Sequence, residues 1–127
     1  MGTHPALLCA RLHGERLGDW SVVVEVADGV LGIEQFNPLK RTEALLLLGR
    51  AKAELGERAA ACKAAERAVA EAVGAKYVWL EMLSLRDLLR WCEAGEADGV
   101  QGRLRGVAGR LAASAEELAG VLGEGVL

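Results

Sequence analysis

The chain has 127 residues, 15 Lys+Arg against 18 Asp+Glu, a formal charge of −3, and 52% apolar residues. That length suits one domain, able to bury about two-thirds of its unfolded surface without disulfide staples. The balance of charge excludes a disordered acidic tail and a general nucleic-acid binder, and the apolar run Ala44–Leu48 falls far short of the roughly 20 residues of a membrane span.

The first residues, Met1-Gly2-Thr3-His4-Pro5-Ala6, lack the basic and apolar regions of a secretory signal, and Ala6 stands where a myristoylation motif wants Ser or Thr. Cys9, Cys62 and Cys92 are widely spaced, odd in number and without a C-x-x-C pair. They read as free small hydrophobes in a reducing, intracellular setting, and the expected location is the cytoplasm.

Ala and Leu are abundant and only Pro5 and Pro38 are available to break helices, so the preference is strongly helical. Seven helices are expected, at about 5–16, 19–36, 41–55, 57–73, 76–93, 98–113 and 114–123. Pro5 suits a first turn, and Asn37-Pro38 should end the second helix near Phe36. In 19–36, Trp20, Val23, Val24, Ala27, Val30 and Leu31 recur at helical spacing. Val22-Val23-Val24 with Ala27-Asp28-Gly29 would also suit a strand and turn; helix is preferred because it keeps the repeat register. Trp20 and Trp91 read as core, whereas Tyr77 and Trp79 stand at a joint and read as exposed.

In 98–113, Val100, Leu104, Val107 and Leu111 make one stripe, and Gly99, Gly102, Gly106 and Gly109 share another face. Each interior Gly costs roughly 1 kcal/mol against Ala. Either these glycines allow close packing on a neighbour, or they reflect GC-rich codon drift with no packing role. Ser114 with Glu117 forms a capping box that starts the last helix. The apolar Val121, Leu122, Val126 and Leu127 offer an end cover or a docking strip.

Leu17-Gly18-Asp19, Leu55-Gly56-Glu57 and Ala94-Gly95-Glu96 recur, their glycines 38 and 39 residues apart. Each follows one helical stretch and precedes another, as a Gly-terminated turn between two helices does. A period of two helices marks a helical repeat array.

The second unit, Ala44 to Val73, resembles a tetratricopeptide repeat. Leu48-Gly49 falls at the family's Leu-Gly pair, and Ala61 and Ala68 at its small crossing positions. Lys52 and Ala65 depart from the aromatic positions, and Val73 replaces the closing Pro. The first unit keeps Gly18 and Pro38 but has Val23 at a small position; the third keeps Gly95 and little else. The spacing is longer than the family's 34 residues, and is similar to the longer helical repeats of large signalling ATPases and transcription regulators. The joint Gly74-Ala75-Lys76-Tyr77 is similar to theirs.

The resemblance implies an all-α, right-handed stack of about three antiparallel helical hairpins, a TPR-like α-solenoid with units at about 5–38, 41–74 and 76–113 and a capping helix at 114–123. It implies a non-enzymatic interaction module that holds an apolar helix or peptide on its concave face. The partner-facing positions are then Leu8, Leu12, Leu46, Arg50, Leu85, Leu89 and Cys92, with Glu15, Arg16, Glu43, Glu54 and Glu93 nearby. That surface would be apolar with one central cation, unless these leucines are simply core. The Lys/Asn clamp of some members is absent, and Arg50 alone stands in for part of it. The alternative is a structural assembly subunit that associates with copies of itself or belongs to a larger complex.

Charge alternates along the chain. The blocks 1–39, 78–98 and 114–127 each carry −3, and 40–77 and 99–113 each carry +3. Such blocks either match sign to sign across neighbours or form an ordinary solvated surface. Arg103, Arg105 and Arg110 have no interleaved aromatics, so no nucleic-acid partner is expected. The sequence has no phosphate loop, dinucleotide motif, nucleophile elbow or H-E-x-x-H pattern, and it spells out no cofactor. Cys9 and His13, one turn apart, could join a soft metal and so support a metal-dependent activity, but two further ligands would be required. A free Gly2-Thr3-His4 terminus could bind Cu(II), as any such terminus does. The expectation is a protein without enzymatic activity, metal or cofactor.

Overall fold

A computed structural model of the protein describes residues 4–126, with side chains as far as Ala113. The chain is all-α, and no strand occurs among the described residues. The helices are α1 Pro5–Leu17, α2 Trp20–Ile33, α3 Pro38–Glu54, α4 Arg58–Ala75, α5 Val78–Trp91 and α6 Ala94–Val126.

The ends show how the sequence sets these bounds. His4 Nδ1 accepts the Ala6 amide at 3.2 Å and Asn37 Oδ1 accepts the Lys40 amide at 3.2 Å, each just ahead of a proline in the first turn. Pro38 therefore opens α3, rather than standing in a linker before a helix at 41. The second helix stops at Ile33, short of Phe36, and residues 35 and 36 form the turn. Gly18 and Gly56 take the left-handed conformation, with φ of 71° and 81°, as the recurring turn signals require. At the end of α3, Glu57 donates to the Lys52 carbonyl at 2.8 Å and Gly56 to that of Ala53 at 3.0 Å. The same pair of bonds closes α4, from Tyr77 to Ala72 and from Lys76 to Val73, but there Lys76 itself is left-handed at φ 62°.

The third Gly signal fails. The chain turns at Cys92-Glu93, and Gly95 lies within α6. Nor does a separate capping helix begin at Ser114: α6 is continuous through that position, and 98–113 and 114–123 are one helix. The side chains of Val121, Leu122, Val126 and the capping-box pair lie outside the described residues, as does Leu127.

Successive helices pack against one another; in addition α1 touches α3, and α3 touches α5. One core cluster joins Leu7, Trp20, Val23, Val30, Leu45 and Leu48 to Ala64 and Ala68; the other joins Ala61, Ala65 and Val69 to Leu85, Leu88, Trp91, Val100 and Val107. Helix α4 thus presents small residues to both clusters, which lets helices on either side approach closely. The approach is closest where tryptophan meets glycine. A Cβ on Gly49 would lie 2.5 Å from the Trp91 ring and 3.3 Å from the Ala61 carbonyl oxygen, and one on Gly14 would lie 2.7 Å from the Trp20 ring. Both rings are buried, while Tyr77 and Trp79 are exposed, matching the sequence reading of all four. Buried Thr42 and Ser84 donate to the carbonyls of Pro38 and Leu80, both at 2.7 Å, so neither hydroxyl is orphaned.

The glycine face of α6 packs on none of the described residues. A Cβ at Gly99, Gly102, Gly106 or Gly109 would meet no atom within 4 Å, which removes the close-packing explanation.

Candidate functional site

Helices α1, α3 and α5 border a half-open cavity of about 460 Å³. Leu7 and Arg11 enter it from α1; Glu43, Leu46, Leu47, Arg50, Ala53 and Glu54 from α3; Arg86, Asp87, Arg90 and Trp91 from α5. The 3.6-residue period explains the selection. Leu85 and Leu88 point into the core, so Arg86, Asp87 and Arg90 emerge together on the neighbouring face of α5.

Four guanidinium groups dominate the rim. Arg50 Nη1 lies 2.6 Å from Glu15 Oε1, and its guanidinium carbon sits 5.0 Å from the centre of the Trp20 ring. This stacking and ion pair hold Arg50 in place between α1 and α3. Arg11 Nε is 4.0 Å from Glu15 Oε1. Asp87 Oδ1 lies 3.5 Å from Arg86 Nη2 and 3.9 Å from Arg90 Nη1. Burial pushes the Asp87 carboxyl above its ordinary range, against the opposing pull of Arg86 and Arg90. Glu43 Oε2 is buried without a hydrogen bond, 3.8 Å from Lys40 Nζ.

Two of the sequence-derived positions, Leu46 and Arg50, line this cavity. Leu8 and Leu12 are exposed, one position along α1 from Leu7 and Arg11. Leu89 is half-buried against the second core cluster. Leu85 is wholly enclosed and Cys92 is buried, so neither has surface to offer a partner. The expected apolar surface with a single cation is therefore corrected: the lining carries four arginines and three carboxylates beside its leucines. Arg11, Arg86, Asp87 and Arg90 escaped the sequence reading. The spacing of Arg86 and Arg90, four apart around Asp87, was the available signal.

Elsewhere, His4 is occupied as the α1 cap, and its Nε2 faces Glu34 Oε1 at 3.6 Å. Met1, Gly2 and Thr3, which the copper-binding idea needs, lie outside the described residues. Cys9 is exposed and His13 Nε2 sits 3.4 Å from Asp19 Oδ2. No group of three or more potential metal-ligating side chains occurs among the described residues. Arg110 meets Glu81 at 2.9 Å and Arg103 meets Glu66 at 3.6 Å. Arg50–Glu15 and Arg110–Glu81 thus pair oppositely charged blocks of the sequence. No helix among the described residues is long and apolar enough to cross a membrane.

Compared with family models, curated proteins and solved structures, the chain matches none.

Proposed function

We propose that the protein is a non-enzymatic interaction module, a TPR-like right-handed stack of helical hairpins, whose groove between α1, α3 and α5 holds a peptide or helix of a protein partner. The observation that carries this reading is the shared cavity: the first helix of each proposed hairpin contributes to it, and Arg11, Arg50, Arg86 and Arg90 converge there. Guanidinium groups bind carboxylates through paired N–H donors, while Leu46, Leu47 and Ala53 supply apolar contact. The partner segment is therefore amphipathic, with carboxylates that exchange with Glu15 and Asp87 for these guanidinium groups, rather than uniformly apolar.

A phage-displayed peptide library selected on the full chain tests this. Acidic, amphipathic peptides should be enriched, and their affinity should fall at least about tenfold, or roughly 1.4 kcal/mol, in a variant combining Leu46→Asp with Arg86→Glu that retains wild-type helicity. Selection of no peptide, or equal binding by that folded variant, would overturn the reading.

A further inference from the structure

A second surface lies at the joints, away from the groove. Pro38 of α3 and Arg67, Ala70, Glu71, Gly74 and Ala75 of α4 line one cavity of about 350 Å³. The α2–α3 joint and the α4–α5 joint are therefore neighbours. At these two joints Ile33, Phe36, Val73, Tyr77 and Trp79 are all exposed, Phe36 at 96% and Trp79 at 59%. The chain has one Phe, one Tyr and three Trp. Trp20 and Trp91 are buried, so every aromatic outside the core stands on this edge.

Two exposed basic residues stand on the α4–α5 side of this edge. Arg67 and Lys76 are exposed, whereas Arg41 is matched by Glu71 at 2.8 Å and Glu81 by Arg110 at 2.9 Å. Glu34, on the same joint as Phe36, lies 3.6 Å from His4, an ion pair only when that imidazole is protonated, so the attraction to anionic lipid rests on the α4–α5 side.

We propose that this edge is a peripheral docking surface for an anionic lipid bilayer, with Phe36 and Trp79 entering the interfacial layer and Lys76 and Arg67 contacting the headgroups. Tyr and Trp suit that boundary because each combines an apolar ring with a polar group. Basic residues beside them add attraction to anionic lipid. The form of the edge favours a membrane over a protein partner. Phe36 projects from a turn with almost its whole surface bare, and a fluid interface accepts such a projection without a matching socket. This is independent of the groove.

Co-sedimentation of the full chain with vesicles tests the proposal, using phosphatidylcholine alone and phosphatidylcholine mixed with phosphatidylglycerol. The expected result is salt-sensitive binding to the mixed vesicles with a blue shift in Trp emission, since Trp79 is the exposed indole. Phe36→Ser with Trp79→Ser should reduce binding at least about tenfold, and Arg67→Gln with Lys76→Gln should remove the preference for anionic lipid. Both variants change exposed side chains, and circular dichroism checks that they fold. The proposal is overturned if the wild-type chain does not sediment with the mixed vesicles, or if the aromatic variant binds as well as wild type. Loss of binding on Arg86→Ala with Arg90→Ala would also overturn it, by assigning the effect to the groove. So would conversion of a wild-type dimer to a monomer by the aromatic substitutions, which would make the edge a contact between copies.

Discussion

Arg58, in the first turn of α4, donates from Nε to the Trp91 carbonyl at 2.6 Å and from Nη2 to the Cys92 carbonyl at 2.5 Å. The Cys62 thiol donates to the same Trp91 carbonyl at 3.0 Å. The end of α5 lacks the left-handed residue that closes α1, α3 and α4, and Cys92 leaves the helix in extended geometry, at ψ 162°. A side chain 33 positions back in sequence supplies the donors that a Gly turn would have taken from the following backbone.

Arg58→Ala should therefore destabilise the protein by about 1–2 kcal/mol, below the full range for charge-assisted bonds because Arg58 is partly exposed. Thermal unfolding should show the midpoint falling by several degrees, and Arg58→Lys should recover little, since an ammonium cannot present two donors in a fixed fork. A melt unchanged by Arg58→Ala would show that water caps these carbonyls equally well.

The helical glycines divide into two kinds, and substitution should separate them. At Gly49 a methyl group would press on the enclosed Trp91 ring and the Ala61 carbonyl. Overpacking of roughly 1–3 kcal/mol outweighs the approximately 1 kcal/mol that Ala gains in helix propensity, so Gly49→Ala should lower stability. Gly102→Ala meets no atom within 4 Å and should raise stability by up to about 1 kcal/mol. Urea denaturation of both variants gives the two signs directly, and equal signs would contradict the packing described for α3 and α5.

These positions also show what could be read from the sequence. The turns at Gly18 and Gly56 were legible because each glycine ends an apolar-periodic run in the left-handed conformation. The turn between α5 and α6 was not, because its closure depends on Arg58, which no local pattern connects to Trp91. Lys76 was likewise hidden: it accepts a left-handed conformation costing about 1–2 kcal/mol for an ordinary L-residue. Continuity of α6 through Ser114 shows that a capping-box spacing need not interrupt a helix in which every neighbouring residue tolerates helical geometry. In the candidate groove, Leu46 and Arg50 followed from the repeat register. The register misplaced Leu85 because a one-residue difference turns a side chain by about 100° around the helix, enough to exchange the core face for the groove face.

Asp87 gives the groove a measurable pH signature. Its carboxyl is held above the ordinary aspartate range by burial, with Arg86 and Arg90 offsetting part of the effect. In the interval between the ordinary aspartate value, roughly 3.9, and the raised native value, the folded chain binds more protons at this site than the unfolded chain. Stability linked to Asp87 therefore falls as pH rises through that interval, and is recovered as pH drops. Asp87→Asn removes the titration, so the stability of wild type relative to this variant should decline from pH 4 upward and then level off. Chemical denaturation of both proteins across that range tests the sign. A relative stability that instead rises with pH would mean that Arg86 and Arg90 outweigh burial, making Asp87 an ordinary ion-paired carboxylate with a depressed pKa.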